Sequence, residues 1–269
     1  MRATPMNAAY ANQRDRLTAV APPTPTAGAT TAGLTFESLS LSRRGLLLLD
    51  ALDATVPQGQ ILAVMGRSGA GKTTLLCTIA GLAAPTDGRV TRPGGRVPVV
   101  FQEPRLLPWR TARQNVELVL AKGQRARAAD WLERVGLADA MDAYPLTLSG
   151  GMRQRVSIAR ALACEEPLLL VDEPFSHLDV LTAHQLRAEL VRQIRAVGCT
   201  TVWVTHDPAE AAEVAERTLV MGGPPLGRWK FVDHPDARGV ERLAKFLAHE
   251  LSCLALLGPA QAGHLKEEG

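Results

Sequence analysis

Eight residues, GRSGAGKT at 66–73, constrain this chain more than any others. They fit G-x-x-x-x-G-K-[ST], follow the apolar run ILAVMG (61–66) and precede TTLLCTIAGL (73–82), which has helical character and stops at a glycine. A buried strand must therefore enter a tight loop and then a helix. Glycines there let backbone N–H groups wrap a β-phosphate, with the positive end of the helix aimed at it. Lys72 would reach the β- and γ-phosphates, and the Thr73 hydroxyl would coordinate Mg²⁺. At average composition this pattern arises by chance in about 1% of chains this long. A glycine-rich turn with no ligand would not need the flanking strand and helix.

Further elements alternate around this unit. LTFESLSL (34–41) alternates as an antiparallel strand with one solvated face. VPVVF (97–101), LLLVD (168–172) and TTVWVTHD (200–207) contain short buried strands. HQLRAELVRQIRAVG (184–198) is an amphipathic helix with a glycine stop, and Asp207-Pro208 opens another helix as N-cap and first position. Between about 104 and 165 the pattern is mainly helical. The expected fold is α/β: a P-loop core with a mostly parallel sheet, an antiparallel β subdomain on its N-terminal side and an inserted helical subdomain. The expected division is 1–33 a disordered tail rich in Ala, Thr, Pro and Asn, 34–225 the folded domain, and 226–269 a short helical extension.

Bulk properties mostly exclude. The net charge of +3 over 269 residues gives no reason to expect a nucleic-acid partner. Four cysteines without CxxC spacing suit reduced thiols. No apolar run approaches the ~20 residues of a membrane span, and no secretory signal is evident. If the protein works at a membrane, another chain spans it.

Other segments carry chemistry. LLLVDEP (168–174) ends a buried strand in two carboxylates, placing Asp172 to hold Mg²⁺ and Glu173 where an attacking water would sit. Gln102 and His206 each end a strand, where an amide could touch Mg²⁺ or water and an imidazole could bond a γ-phosphate; either is also an ordinary polar strand end. LSGGMRQR (148–155) raises a separate question. Two glycines open a helix, where they are costly unless the backbone must approach something closely.

Together, GRSGAGKT, Gln102, LSGGM, LLLVDEP, SHLD (176–179) and His206 resemble the nucleotide-binding subunit of ATP-binding cassette (ABC) transporters, from about 34 to 225. The resemblance implies an ATPase that powers import, with ATP and Mg²⁺ as cofactors. Gly66, Arg67, Ser68, Gly69, Ala70, Gly71, Lys72, Thr73 and Thr74 would bind ATP. Thr73, Gln102 and Asp172 would hold the metal, with Gln102 the Q-loop residue facing the membrane partner. Glu173 would be the general base, His206 the switch histidine and Asp179 the D-loop residue. Leu148, Ser149, Gly150, Gly151 and Met152 would contact ATP held by a second subunit, expected to be an identical copy.

Two positions depart from the family pattern. Where an aromatic residue usually stacks on adenine this chain has LSRRG, so Arg43 or Arg44 occupies the position, and Arg44, just before Gly45, is the candidate platform. His177 stands where a small residue is usual, which reads first as a tolerated surface substitution. FQEPRLLPWRTARQNV (101–116), GRSG and THDPAEA resemble the nitrate/sulfonate/taurine importers. Leu106, Leu107 and Trp109 would then receive the permease, or else form a satellite core of the helical subdomain. The resemblance further implies transmembrane permease subunits, a periplasmic or secreted solute-binding protein, and a peripheral place on the cytoplasmic face of the bacterial inner membrane. Aliphatic sulfonate is the first expectation for the solute; nitrate, taurine and a thiamine-precursor pyrimidine stay open. The rivals are a soluble cassette ATPase of DNA repair or translation and a non-cassette P-loop kinase. The first needs a coiled-coil insertion or a second cassette, and the second leaves LSGGM unexplained.

Overall fold

The structure is a computed structural model that describes residues 33–176 and 178–234, with 244, 245, 248, 249 and 252 of the C-terminal segment. The tail expected at 1–33, apart from Gly33, together with His177 and most of the expected C-terminal helices, lies outside the described residues.

The described residues form two sheets. In the larger, β5 (Val99–Val100), β6 (Leu168–Asp172), β7 (Thr200–Thr205), β3 (Ile61–Gly66), β8 (Arg217–Gly223) and β9 (Arg228–Asp233) lie in that order. The first five are parallel and β9 returns antiparallel to β8. In the smaller, β1 (Leu34–Arg43) pairs antiparallel with β2 (Leu46–Val56) on one side and β4 (Asp87–Thr91) on the other.

The central strands are buried on both faces, which is why they read as continuous apolar runs rather than alternating ones. Their side chains still divide by parity. Ile61, Ala63, Met65, Leu169, Val171 and Trp203 join a core with the helical region. Leu62, Val64, Leu168, Leu170, Val202 and Val204 join a second core beneath the antiparallel sheet and α1 (Lys72–Ile79).

The stretch from 104 to 165 holds α2 (Ala112–Glu117), α3 (Arg127–Arg134) and α4 (Gly150–Leu162), with three short 3₁₀ turns. Thr111 and Gln114 cap α2 reciprocally, the side chain of each bonding the backbone N–H of the other. After β6 come α5 (Val180–Val197) and, after β7, α6 (Pro208–Val214). Asp207 caps α6 through the Ala209 N–H, and α5 stops at Gly198 in the left-handed region, both as the sequence implies.

Three boundaries differ from the expectation. The strand in VPVVF shrinks to an edge pair, because Pro98 has no N–H to donate; its carbonyl still accepts from the Leu170 N–H. The helix expected from 184 starts at Val180, because Asp179 accepts from the Thr182 N–H and caps it there. Residues 228–233, expected within a helical extension, form β9 instead. Trp229 and Phe231 pack on the second core while Val232 faces the first, a period-2 pattern that only a strand satisfies.

Candidate nucleotide site

Every glycine in the loop after β3 has a local reason. Gly71 lies at φ +101°, and a Cβ there would stand 2.8 Å from the Cβ of Leu48. Gly69 lies at φ +83°, and a Cβ there would meet nothing within 4 Å, so its backbone faces open space. Gly66 has no room, since a Cβ would meet the Met221 carbonyl at 2.9 Å.

The helix that follows is left open at its N-terminus. Thr111, Ser149, Asp179 and Asp207 cap α2, α4, α5 and α6 with their side chains, but α1 begins at Gly71 with neither a side-chain cap nor an acidic residue in its first turn. Its unsatisfied N–H groups and dipole favour an anion.

That opening faces a cavity of about 790 Å³. Ser68 to Thr74 form its floor, Asp172, Glu173 and His206 one wall, and Arg43, Arg44, Leu46, Leu48 and Pro224 another. Lys72 Nζ donates to the carbonyls of Gly66 at 2.7 Å and Arg67 at 3.3 Å. Gly66 and Arg67 thus serve the site through their backbones without lining the cavity. Burial holds the Lys72 ammonium below its usual pKa, against the pull of Glu173 and Asp172. Burial, and then the nearby Glu173, raise Asp172 above the usual carboxylate range. Asp172 is therefore a carboxyl whose negative charge is under-compensated, and the exposed Thr73 side chain lines the same cavity. A hard oxygen-seeking cation such as Mg²⁺ fits this pair, since such ions take one or two protein oxygens plus substrate phosphates.

Glu173 sits at φ +43°, a strained position for a residue with a side chain and one that persists only where surroundings enforce it. Its N–H bonds to the Val204 carbonyl, and its Oε2 stands 3.0 Å from Nδ1 of His206. The two residues, 33 positions apart, are thereby brought together.

Arg44 also has positive φ, +52°, and with Gly45 at +77° forms the tight turn between β1 and β2 that leans over the cavity. Arg43 lines the cavity as well. Gln102 is exposed, just beyond β5, and is not among the lining residues.

Ser149, Gly150 and Gly151 also stand outside the cavity. Ser149 Oγ accepts from the Met152 N–H and caps α4, while Leu148 is buried in the core. Both glycines have helical geometry. A Cβ on Gly150 would meet nothing nearer than 3.9 Å, and on Gly151 nothing nearer than 3.6 Å. Within this chain neither position requires glycine, though each costs about 1 kcal/mol against alanine in a helix. Asp179 caps α5, a local role that its place in SHLD does not announce.

Two structural features are likewise silent in the sequence. Asn115, fully buried, accepts from the Leu107 N–H and donates to the carbonyls of Leu107, Arg110 and Thr111, fixing the loop that carries Trp109. Arg160 and Gln154 of α4 bond the carbonyls of Pro104, Arg105 and Phe101, tying α4 to the segment around Gln102. Leu106 packs against the helical core, as the satellite-core alternative expects, whereas Trp109 is 69% exposed.

Sheet order, phosphate loop and paired carboxylates define a P-loop nucleoside-triphosphate-binding domain. The family model described as ABC transporter matches residues 49–176. An aliphatic sulfonates import ATP-binding protein of Frankia alni, SsuB 2, is 52% identical over 177 residues, covering 65% of this chain and 71% of the relative. The bicarbonate transport ATP-binding protein CmpD of Synechocystis is 41% identical over 239 residues, covering 81% and 85%. A solved ATP-binding cassette in a dimeric post-hydrolysis state, bound to ADP and Pi, aligns with TM-score 0.64 and 28% identity over 76% of this chain and 99% of that one. The chain belongs to the ABC transporter family, as one of its ATP-hydrolysing subunits. Among the described residues no helix is long and apolar enough to cross a membrane.

Proposed function

We propose that this protein is the ATP-hydrolysing subunit of an importer for aliphatic sulfonate, working as a head-to-tail dimer. The observation that carries the dimer is a mismatch. One chain gathers Lys72, Asp172, Glu173 and His206 around a single cavity, while Ser149, Gly150 and Gly151 stand outside it with glycines their own chain does not need. The mismatch is resolved if the signature helix completes the cavity of a second copy.

In this reading the N-terminus of α1 and Lys72 bind the phosphates of ATP, and Arg44 stacks on the base. Thr73 and Asp172 would hold Mg²⁺, which when bound neutralises phosphate charge. Phosphoryl transfer asks the protein mainly for positioning and charge stabilisation. Glu173 takes the proton of the attacking water, and His206, 3.0 Å from its carboxylate, orients it and bonds the γ-phosphate. The partner's Ser149 and its helix dipole supply the remaining positive potential. Gln102, rather than holding metal in the open chain, would enter the site on closure. The bonds from Gln154 and Arg160 would make the Gln102 segment move with α4.

Partners in this reading are a second ATP-binding subunit, transmembrane permeases docking around Trp109, and a periplasmic or secreted solute-binding protein. The subunit would sit peripherally on the cytoplasmic face of the bacterial inner membrane. The residue division is 34–225 for the ATP-binding unit, extended to Asp233 by β9. The sulfonate assignment is supported by the Frankia relative, and bicarbonate by the Synechocystis one. The test is ATPase of the reconstituted transporter with binding proteins for each solute. Stimulation by sulfonate-loaded binding protein alone is expected; stimulation by bicarbonate alone would replace the assignment.

A further inference from the structure

A buried cluster lies behind the Glu173–His206 pair. A second cavity, about 190 Å³, is lined by Glu173 and His206 and also by Arg187, Thr205, Asp207 and Glu210. Thr205 ends β7 and is 1% exposed; Glu210, on α6, is 8% exposed. The Thr205 hydroxyl donates to Glu210 Oε2 at 2.5 Å and accepts from the Asp207 N–H at 3.0 Å. The residues on either side of His206 are thus bound to one hydroxyl, which is anchored in turn to a buried carboxylate. Arg187, on α5, faces that carboxylate from the far side. Its Nε lies 3.5 Å from Glu210 Oε1, an ion pair in which neither atom is hydrogen-bonded, and its guanidinium also pairs with Glu213 of α6.

This arrangement is more than the turn requires. Asp207 and Pro208 already start α6. Burying a carboxylate is costly, and burial raises Glu210 above its ordinary pKa despite the Thr205 bond and Arg187. A glutamine or an apolar residue would fill the place at lower cost. What the carboxylate adds is a strong, directional acceptor fixing one rotamer of Thr205, and hence the backbone carrying His206.

We infer that Glu210 and Arg187 are positioning residues for His206, acting through the Thr205 hydroxyl, and that Arg187 makes the His206 turn move with α5. This rests on the proposed role of His206 at the γ-phosphate. Because α5 is capped by Asp179, displacement of its first turn at a subunit seam would reach the imidazole through Arg187 and Glu210.

The test uses the full chain in its transporter complex. Thr205→Val is nearly isosteric and removes only the hydroxyl; Thr205→Ser restores it. Misplacement of a reacting group by about 1 Å costs on the order of 100-fold. Thr205→Val and Glu210→Ala should therefore lower kcat by about 10–100-fold while the Kd for ATP stays within about twofold. Thr205→Ser should remain near wild type, and Arg187→Lys should fall between. If Glu210→Ala does not fold, Thr205→Val and Arg187→Lys carry the test. A lowered thermal midpoint with unchanged kcat in the folded fraction would mean a purely structural cluster and overturn the inference. His206→Ala separates the two readings. If it retains turnover, the role of His206 itself fails; if it loses turnover while Thr205→Val does not, only the positioning inference fails.

Discussion

Asn115→Ala is the most informative substitution outside the nucleotide cavity. Asn115 makes four bonds of 2.8–3.2 Å to the backbone of 107–111. Two of its carbonyl partners keep another donor, since Leu107 O also accepts from the Arg110 N–H and Thr111 O from the Asn115 N–H. The groups stranded by truncation are the Leu107 N–H and the Arg110 carbonyl. Leaving a partly buried polar group unsatisfied costs about 1–3 kcal/mol, so the loss should be about 2–6 kcal/mol in total. At roughly 2–4 °C per kcal/mol for a domain this size, the thermal midpoint should drop by on the order of 10 °C. Asn115→Asp should do no better, because it keeps the acceptor but turns a donor into an oxygen facing three carbonyls. Differential scanning calorimetry reads the first quantity. The second readout is ATPase with and without permease. Below the new midpoint basal hydrolysis should persist, because Asn115 does not line the cavity. Permease-dependent stimulation should fall, because the loop presenting Trp109 is released. A midpoint shift under about 3 °C, or loss of basal activity with coupling intact, would refute the reasoning.

Glu173→Gln should lower ATP turnover by about 10²–10⁴-fold with nucleotide affinity preserved, measured by phosphate release beside equilibrium binding. Gly71→Ala forces a side chain into φ +101° and against Leu48, so it should cost about 1–3 kcal/mol of stability and weaken ATP binding, read by thermal shift with and without nucleotide. His234 offers a pH test. Burial lowers its pKa, opposed by the Ala215 carbonyl, Glu216 and Asp233. The folded chain thus binds its proton less readily than the unfolded chain. The stabilising contribution is complete above the ordinary imidazole pKa and is lost as pH falls through the depressed folded value. The midpoint should drop on acidification from neutral pH, and His234→Gln should reduce that slope.

What can be read from sequence is chemistry fixed by local spacing. The phosphate loop, the Asp172-Glu173 pair and the Asp207-Pro208 helix start are contiguous strings whose geometry follows from adjacent residues. Asn115, Arg160 and Thr205 act on backbone atoms or side chains that only the folded chain brings near. No periodicity announces them, although T-x-x-Q at 111–114 is a visible capping signal close to Asn115. β9 is hard to foresee because its alternation, Trp229, Phe231 and Val232 around Lys230, is short and follows prolines that read as an ending. Asp179 reads from its motif as an intersubunit residue, and only the fold shows its simpler role as a helix cap. Counting back from the phosphate loop offers Arg43 or Arg44, and the fold puts both at the cavity.

The serine at the head of α4 has a double capacity. A hydroxyl carries two lone pairs and one hydrogen. Bonding the Met152 N–H uses a lone pair and leaves the hydrogen free. Ser149 can therefore hold its helix together and greet an incoming oxyanion without giving up either bond. An aspartate would cap the helix equally well and repel the visitor; an alanine would do neither. The same atom that finishes a fold in solitude is thus equipped, with no rearrangement, to recognise company.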